Sequence, residues 1–308
     1  MSSTLPAKPL LLYFADERAN AERIAQAGAL NLMPIERHRF PDGELKLRLP
    51  EPLPQHVVIL RTLNQPNEKL LELLLVAQTA RSLGAEHLTL LAPYLAYMRQ
   101  DIAFQPGEAI SQRIVGQFLA TLFDAVITVD PHLHRVATLH EALPAGNTLV
   151  LSGAPLLSDL IAAHRSAALL VGPDEESAQW VAQAAARHGL EHAVCRKLRH
   201  GDRSVHIELP HCTLTGRHVV LLDDVASTGH TLAEAARLLL TGGAASVDVA
   251  VTHALFEASA LPLLRAAGVS EVWSTDCVAH ASNAVSMAAS LAQALALIEA
   301  AKPGQYQD

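Results

Sequence analysis

A short apolar run, Val219–Leu222, leads into two acids, a loop rich in hydroxyls and a helix-like segment. Uninterrupted apolar runs of this length are typical of strands that are buried on both faces of a parallel sheet. The segment from Leu232 to Leu240 is predicted to form a helix. Because strand–loop–helix units of this kind build parallel sheets with helices on their faces, the segment predicts an α/β fold.

Strands and helices are expected to alternate along the whole chain. In the first half the pattern predicts strands at 9–14, 35–39, 43–49, 56–61, 87–92 and 125–130, and helices at 17–29, 67–83 and 110–123. In the second half it predicts strands at 167–171, 191–196, 204–208, 218–222, 246–252 and 270–275, and helices at 154–164, 174–187, 230–241, 258–267 and 284–301. This alternation is typical of parallel sheets rather than of all-β or all-α folds.

The two halves of the chain resemble each other. Residues 56–60 (HVVIL) match residues 218–222 (HVVLL), and each run is followed by a loop, a leucine-rich helix and a Gly-Ala turn. The pattern is interrupted by a Pro-Ala-Gly-Asn sequence at 144–147 that favours a turn, so a linker is expected around 145–153. We therefore expect two similar α/β domains, residues 1–149 and 150–308, although a chance match of two apolar strands is the alternative.

Composition excludes several classes of partner. The 308 residues include 31 acids and 23 bases, with a formal net charge of −8 and no basic stripe, so a nucleic-acid partner is not expected. No uncharged apolar run of membrane-spanning length occurs, and the N-terminal residues lack the order of a signal peptide. Cys195, Cys212 and Cys277 are far apart, which is typical of a reducing compartment and predicts a cytoplasmic location.

The loop after the 218–222 strand combines two kinds of ligand-binding group. Ser227, Thr228 and Thr231 offer hydroxyls beside the first N–H groups of the helix, which suits a phosphate. Asp223 and Asp224 adjoin this loop at the carboxyl end of the strand, where open α/β sheets bind ligands. Since acids do not bind phosphate, they are expected to bind hydroxyls of the attached group, directly or through a metal. A sugar phosphate fits both requirements, whereas an ordinary turn with capping side chains is the alternative.

Two loops of the first half are candidate nucleotide-binding segments. Residues 39–44 (RFPDGE) include Phe40, whose flat apolar side chain would suit a base. Residues 99–101 (RQD) place a cation beside an amide and an acid, which suits a phosphate together with a ribose or purine edge. From the residues alone, a surface turn is an equally good interpretation of each.

Two further strand ends carry candidate metal ligands. His132 follows the 125–130 strand, and Asp174 follows the 167–171 strand. Magnesium prefers oxygen ligands, so a histidine would be an unusual ligand for it. The neighbouring His134 is expected to be a surface residue.

Residues 195–203 form the densest basic run of this acidic chain. Lys197 and Arg199 are two residues apart, so on an extended segment they point to the same side. Transfer of a phosphate-containing group needs positive charge around the reacting phosphorus, and a mobile basic loop would supply it. A solvated basic hairpin is the alternative.

Taken in order over roughly residues 9–300, these segments resemble the ribose-phosphate pyrophosphokinase family. The 218–231 segment also resembles the phosphoribosyl-pyrophosphate motif of type I phosphoribosyltransferases, but those enzymes have no such first domain. Other nucleotide-binding or hydrolase motifs, namely Gly-x4-Gly-Lys-Ser/Thr, Gly-x-Gly-x-x-Gly and Gly-x-Ser-x-Gly, are absent from the sequence. The resemblance implies two phosphoribosyltransferase-like domains, each a mainly parallel sheet flanked by helices. The first would bind ATP and mediate assembly, and the second would bind ribose phosphate and carry out catalysis.

The resemblance also implies a reaction. The diphosphoryl group of Mg-ATP would pass to the C1 hydroxyl of ribose 5-phosphate, which gives 5-phosphoribosyl 1-diphosphate and AMP. Mg²⁺ would be the cofactor, and a homo-oligomer, a dimer or larger, would share its ATP site between subunits. A phosphoribosyltransferase and a catalytically silent regulatory paralogue are the two alternatives.

The residues implied by the resemblance fall into four groups. The catalytic pair is Lys197 and Arg199, and the metal ligands are His132 and Asp174. The ATP-binding residues are Phe40, Asp42, Gly43, Glu44, Arg99, Gln100 and Asp101. The ribose-5-phosphate-binding residues are Arg199, Asp223, Asp224, Ser227, Thr228, Gly229, His230 and Thr231. The family usually has glycines and an arginine after the aspartate at 174, whereas this chain has residues 175–179 (EESAQ).

Overall fold

The computed structural model describes residues 9–200, 204–210, 212–302 and 304–308, and for 197–200 and 204–206 it describes the backbone alone. The strands within these residues are β1 (Leu10–Phe14), β2 (Asn31–Arg39), β3 (Leu45–Arg48), β4 (His56–Leu60), β5 (His87–Ala92), β6 (Ala125–Val129), β7 (Asn147–Leu151), β8 (Leu169–Gly172), β9 (Glu191–Val194), β10 (Arg196–His200), β11 (Ser204–Glu208), β12 (His218–Ala226), β13 (Ser246–Ala254), β14 (Val269–Thr275) and β15 (Asn283–Val285). The helices are α1 (Arg18–Gly28), α2 (Pro66–Ser82), α3 (Ser111–Leu122), α4 (Leu139–Ala142), α5 (Ala154–His164), α6 (Ala178–His188), α7 (His230–Thr241), α8 (Ala260–Ala266) and α9 (Ala288–Ala300).

The chain divides into two compact units. The first unit consists of Met1–Leu151 together with Met287–Asp308, and the second consists of Ser152–Ser286. Within the described residues, no helix is long and apolar enough to cross a membrane.

The first unit is built on a sheet with the strand order β3-β2-β1-β4-β5-β6-β7. All neighbouring pairs are parallel except the β2–β3 hairpin. Every residue of β1 and β6 is buried, because helices cover both faces of the sheet. The predicted apolar runs therefore form central strands of a parallel sheet.

The second unit has a parallel sheet with the order β15-β14-β13-β12-β8-β9, and a separate antiparallel hairpin, β10–β11. One core lies on the face covered by α7 and α8, and another on the face covered by α5 and α6. The predicted fold class, two similar domains with mainly parallel sheets flanked by helices, is confirmed by these two sheets.

The two sheets share their strand order, which agrees with the sequence match between residues 56–60 and 218–222. In the first unit β4 lies between β1 and β5, and in the second β12 lies between β8 and β13. The register also corresponds, since Leu10 lies opposite Val57 and Asn31, while Leu169 lies opposite Val219 and Glu191. Equivalent positions in the two units can therefore be assigned by counting along the strands.

The observed units differ from the contiguous division at 149/150 expected from the sequence. The stretch around 145–153, which was expected to be a linker, contains β7, an edge strand that pairs with β6. The last helix, α9, packs against α1, β6 and β7 and so belongs to the first unit rather than the second. Its apolar face buries Leu291, Leu295 and Ile298 there.

Candidate active site

The acid pair lies on strand β12, at the carboxyl end of the second sheet. The strand continues through both acids to Ala226, and Asp223 lies opposite Val251 of β13. Asp224 is 3% exposed, and Asp223 is partly buried. Because the neighbouring strand supplies hydrogen-bond partners beyond Leu222, the acids are held by a rigid sheet rather than by a loop.

A loop with a left-handed glycine joins β12 to α7. Gly229 precedes the helix with a φ of 76°, and a Cβ atom there would lie 3.4 Å from the Cβ of Ala260. Ser227 and Thr231 are partly buried, while Thr228 is exposed. The first N–H groups of a helix have no intrahelical acceptor, so this loop combines free backbone donors with three hydroxyls. Such an arrangement can hold a phosphate monoester.

Asp174 lies on the same edge of the second sheet as the acid pair. Strand β8 is the neighbour of β12, with Val171 opposite Leu221, and Asp174 follows three residues later. Its Oδ1 accepts a hydrogen bond of 3.2 Å from the N–H of Glu176 and thereby caps the short 3₁₀ turn that follows. The structure thus brings three carboxylates to the carboxyl ends of two neighbouring strands.

The electrostatics of this edge favour a bound cation or hydroxyl donors. Desolvation raises the pKa of Asp223 well above its ordinary value, and repulsion from Asp224 and Asp174 raises it further. A cation or a set of hydroxyl donors would favour the ionised carboxylates. Either a divalent metal ion or the hydroxyls of a sugar therefore suits the site.

The basic segment forms the β10–β11 hairpin, with Lys197 opposite Ile207 and Arg199 opposite Val205. Residues two apart on a strand face the same side, as the sequence analysis expected of Lys197 and Arg199. The side chains of these two residues lie outside the described part of the chain. Arg196 belongs to the other face, is exposed, and has its Nε 3.7 Å from a carboxylate oxygen of Glu175.

The predicted ATP-binding residues Phe40–Glu44 form the exposed tip of the β2–β3 hairpin. The tip is closed by a 2.9 Å hydrogen bond from the N–H of Phe40 to the carbonyl of Glu44, and Gly43 has a φ of 95°. The Oδ1 of Asp42 accepts a 3.1 Å hydrogen bond from the N–H of Glu44. The tip therefore projects its side chains away from the core of its own unit.

The second predicted ATP-binding segment, residues 99–101, follows strand β5. Asp101 is buried and accepts a 2.6 Å hydrogen bond from Arg135, so it fixes the loop, while Arg99 is exposed. The carbonyl of Gln100 accepts a hydrogen bond of 3.1 Å from Gln112 at the start of α3. Strands β1 and β4 lie between β2 and β5 in the sheet, so the two segments are not neighbours at the strand ends.

The predicted metal ligand His132 follows strand β6 in the first unit. Its ring contacts that of His134 nearly at a right angle, with 4.0 Å between the ring centroids. The structure thus pairs His132 with the residue that the sequence analysis expected to be an ordinary surface histidine. A pair of imidazoles offers nitrogen ligands, which magnesium binds less readily than oxygen.

The first unit has a loop equivalent to the sugar-phosphate loop, and this loop is filled by its own side chains. Arg61, at the position of Asp223, is 1% exposed and forms an ion pair with the buried Glu72. The ammonium group of Lys69 donates hydrogen bonds to the carbonyl of Thr62 at 2.8 Å and to Oδ1 of Asn64 at 2.6 Å. Sequence analysis missed this cluster, and the only signal for it was the absence of the acid pair.

Two sheets of the same strand order, one of which ends in an acid pair and a phosphate-type loop, define a protein with two phosphoribosyltransferase-like domains. Residues 10–122 match the model of the N-terminal domain of ribose phosphate pyrophosphokinase, and residues 145–274 match that of the phosphoribosyl transferase domain. The chain belongs to the ribose-phosphate pyrophosphokinase family, which confirms the resemblance inferred from the sequence.

Individual relatives support this assignment over most of the chain. A ribose-phosphate pyrophosphokinase of Methanopyrus kandleri is 36% identical over 277 residues, which cover 89% of this chain and 94% of the relative. One from Methanosarcina acetivorans is 33% identical and covers 89% of this chain and 95% of the relative. The crystal structure of a phosphoribosylpyrophosphate synthetase from Mycobacterium smegmatis has the same fold, with a TM-score of 0.82 at 24% identity, and the match covers 95% of this chain and 99% of that one.

Proposed function

We propose that the protein transfers the diphosphoryl group of ATP to the C1 hydroxyl of ribose 5-phosphate and releases AMP. The observation that carries this proposal is the acid pair beside a hydroxyl-rich helix start on β12, because it offers one site for hydroxyls and one for a phosphate. The match of residues 10–122 to the N-terminal domain of ribose phosphate pyrophosphokinase supports it over the transferase alternative. Retention of Lys197, Arg199, His132 and the acid pair supports it over a silent paralogue.

Ribose 5-phosphate binds to the second unit in this proposal. Its phosphate lies on the loop from Ser227 to Thr231, where helix N–H groups and hydroxyls donate hydrogen bonds. The ring hydroxyls donate hydrogen bonds to Asp223 and Asp224. These donors favour the ionised carboxylates, which act only as acceptors. This orientation fixes the sugar at both ends, so the C1 hydroxyl is presented in one direction.

Lys197 and Arg199 stabilise the transition state in this proposal. Diphosphoryl transfer needs no covalent link to the protein, and positive charge near the transferred phosphorus lowers the barrier. Their spacing on β10 supports this role, because residues two apart on a strand face the same side. Arg199 also binds the ribose phosphate.

The carboxylates at the second sheet's edge fit a magnesium ion. Asp174 and the acid pair are oxygen donors at adjacent strand ends, which is the ligand type that magnesium prefers. We assign Asp174 as a metal ligand and His132 as a second one, the latter on the family resemblance rather than on donor chemistry. When bound, the ion would neutralise charge on the triphosphate.

The ATP site is shared between subunits in this proposal. Two strands separate the exposed β2–β3 tip from residues 99–101 within one unit. A single chain therefore does not bring the two segments side by side. We therefore assign Phe40, Asp42, Gly43 and Glu44 to the ATP site of a neighbouring subunit, with Arg99, Gln100 and Asp101 as the other ATP-binding segment. A homo-oligomer of at least two chains follows from this assignment. The three free cysteines support a cytoplasmic location.

Release of AMP tests the reaction directly. The purified protein with ATP, ribose 5-phosphate and magnesium should form AMP and 5-phosphoribosyl 1-diphosphate in equal amounts, and omission of the sugar phosphate should abolish AMP formation. Protein that consumes 5-phosphoribosyl 1-diphosphate with a nucleobase, and forms no AMP from ATP, would be a phosphoribosyltransferase. Protein that forms neither product would be the silent paralogue.

Subunit mixing tests the shared site. Chains carrying Asp42→Ala and Glu44→Ala, mixed with chains carrying Lys197→Ala, should regain activity because some mixed sites have neither defect. The matched control mixes two chains that both carry Lys197→Ala, which should stay inactive. Pull-down of a tag shows whether the subunits exchange. If they exchange and no activity is recovered, the shared site is refuted.

A further inference from the structure

A cavity of about 310 Å³ lies at the amino ends of the first unit's strands, at the opposite edge of the sheet from the strand ends discussed above. Two histidines line it, and each is the first residue of its strand. His56 begins β4 and His87 begins β5, and they lie opposite each other in the parallel register. Their ring centroids are 5.3 Å apart.

Each imidazole faces a carboxylate through the same ring nitrogen. The Nδ1 of His56 is hydrogen-bonded to Glu299 on helix α9 at 2.8 Å. The Nδ1 of His87 lies 3.7 Å from Asp124 before β6, whose Oδ2 accepts hydrogen bonds from Arg81 and from the N–H of Leu88 instead. A histidine that binds a metal usually donates its other ring N–H to a carboxylate, which orients the ring and raises the basicity of the ligand nitrogen. In the described residues, no partner binds Nε2 of either ring, so both nitrogens are available as ligands.

The charge around the cavity also favours a cation. Helices α3 and α9 both end at the cavity, and helix C-termini carry partial negative charge. Asp124 and Glu299 add two carboxylates, of which the first is partly neutralised by Arg81 at 2.6 Å. An anionic ligand would therefore meet net repulsion here.

The spacing of the rings fits a single tetrahedral ion. Two imidazoles that bind one zinc ion through Nε2 at about 2.1 Å have ring centroids roughly 5 Å apart. The observed 5.3 Å is close to this value. We propose that His56 and His87 bind a divalent transition-metal ion of the zinc class, with Glu299 orienting the ring of His56. The bound ion ties the amino ends of β4 and β5 to the end of the last helix.

Metal titration tests the proposal. His132 and His134, whose rings contact each other, are first replaced by alanine. This second pair of imidazoles then contributes nothing to the measured metal binding. Calorimetry with zinc, and visible absorption with cobalt, in a large excess of magnesium should then show one ion per chain. Adding His56→Ala and His87→Ala should weaken that binding at least about 100-fold.

Matched variants separate a metal site from a surface histidine effect. His188→Ala removes another histidine–carboxylate pair, with Asp159 at 2.7 Å, and should leave binding unchanged. Glu299→Gln keeps both imidazoles and should weaken binding by about 10–100-fold, so it tests the site even where the double histidine variant fails to fold. Unchanged zinc binding in either the double histidine variant or Glu299→Gln would overturn the proposal.

Discussion

The loop after β4 and the loop after β12 occupy equivalent places in two sheets of the same order, yet one is filled and the other is open. Counted from the equivalent positions, residues 223–229 lead to α7 and include the end of β12, whereas residues 61–65 lead to α2. A left-handed glycine, Gly229, precedes α7, and a left-handed Gln65 precedes α2. The segment of the second unit is two residues longer and carries the hydroxyls. In the first unit, Lys69 reaches back from α2 and donates hydrogen bonds to two loop oxygens.

The charges of the two units are arranged in opposite ways. Asn31 and Glu191 are equivalent in the register of the two sheets. Counting on from them, Arg37 and Arg39 of β2 correspond to Lys197 and Arg199. In the first unit these cations are paired within the unit, Arg37 with Glu72 and Arg39 with Glu68. The acids at the equivalent edge of the second unit instead repel each other.

This difference shows how one scaffold serves two purposes. Buried charges are costly unless they are paired, and at this loop the first unit pairs them with its own residues. In the second unit the carboxylates repel each other beside the first N–H groups of α7, so the same position is suited to a ligand. The same position in the sheet thus stabilises the first unit and forms the candidate binding site of the second.

The largest expected effect concerns the two hairpins. Lys197→Ala should lower kcat about 10³-fold, or ~4 kcal/mol, with little change in either KM, because the lysine acts mainly in the transition state. Arg37→Ala, at the equivalent position of the first unit, should change kcat less than about threefold and lower stability instead. Arg196→Ala, on the opposite face of β10, is the control for the second hairpin. Steady-state kinetics would contradict the comparison if Lys197→Ala turned over like wild type.

The next effect concerns the filled loop. Arg61→Met should lower the free energy of unfolding of the first unit by about 3 kcal/mol, because it leaves buried Glu72 with only the partly exposed Arg37 as a partner. Both tryptophans, Trp180 and Trp273, belong to the second unit, whereas all four tyrosines belong to the first. The midpoint of urea unfolding, followed by near-ultraviolet circular dichroism of tyrosine, should therefore move to a lower urea concentration.

The same experiment contains its control. Tryptophan fluorescence, which reports on the second unit alone, should shift less than the tyrosine signal. Arg187→Met removes an exposed ion pair with Asp159 and should cost less than about 1 kcal/mol. Equal small losses for Arg61→Met and Arg187→Met would show that the cluster does not stabilise the first unit.

A slightly smaller effect is expected at the open loop. Asp223→Asn should raise the KM for ribose 5-phosphate about 100-fold, or ~2.7 kcal/mol, because it removes a charged hydrogen-bond acceptor for the sugar hydroxyls. The KM for ATP should stay within about threefold. Asp159→Asn, an exposed acid of the same unit, is the matched control. Normal sugar affinity with weakened ATP binding would overturn the assignment of this loop.

The smallest effect is a pH dependence in the filled loop. Burial, followed by repulsion from Arg61, lowers the pKa of Lys69 below the ordinary lysine value of 10.5. Between the lowered pKa and about 10.5 the unfolded chain binds more protons than the folded chain, so stability rises with pH in that window. Unfolding of wild type and Lys69→Met in urea, from neutral pH to about 10.5, should show wild type gaining relative to the variant. A constant difference over this range would contradict a buried ammonium.

The sheets could be predicted because their signals are local. The apolar runs at 56–60 and 218–222 form β4 and β12 as expected. Strand β12 runs on through the acids, since its neighbour β13 offers hydrogen-bond partners that the sequence does not reveal. Strand β7 was missed for the opposite reason, because the turn residues before it suggested a linker.

The candidate site was predictable in its residue types but less so in its surroundings. The order of acids, hydroxyls and glycine before α7 predicted one candidate loop. In the structure the acids end strand β12, and the hydroxyls and the glycine follow directly. The contact between Asp101 and Arg135 joins residues 34 positions apart, so no local pattern announces it. Gln65 adopts a left-handed conformation with a φ of 53° although nothing in its side chain favours it.

The path of the chain has a consequence for how the protein is made. A ribosome completes the strands of the first sheet before it has produced any of the second unit, and α9 emerges after both. Until then the apolar surfaces of α1, β6 and β7 that α9 covers stay open to water or to other proteins. Nascent chains should therefore depend on chaperones until α9 has emerged, and a stop codon before Met287 should yield an aggregating first unit beside a folded second one.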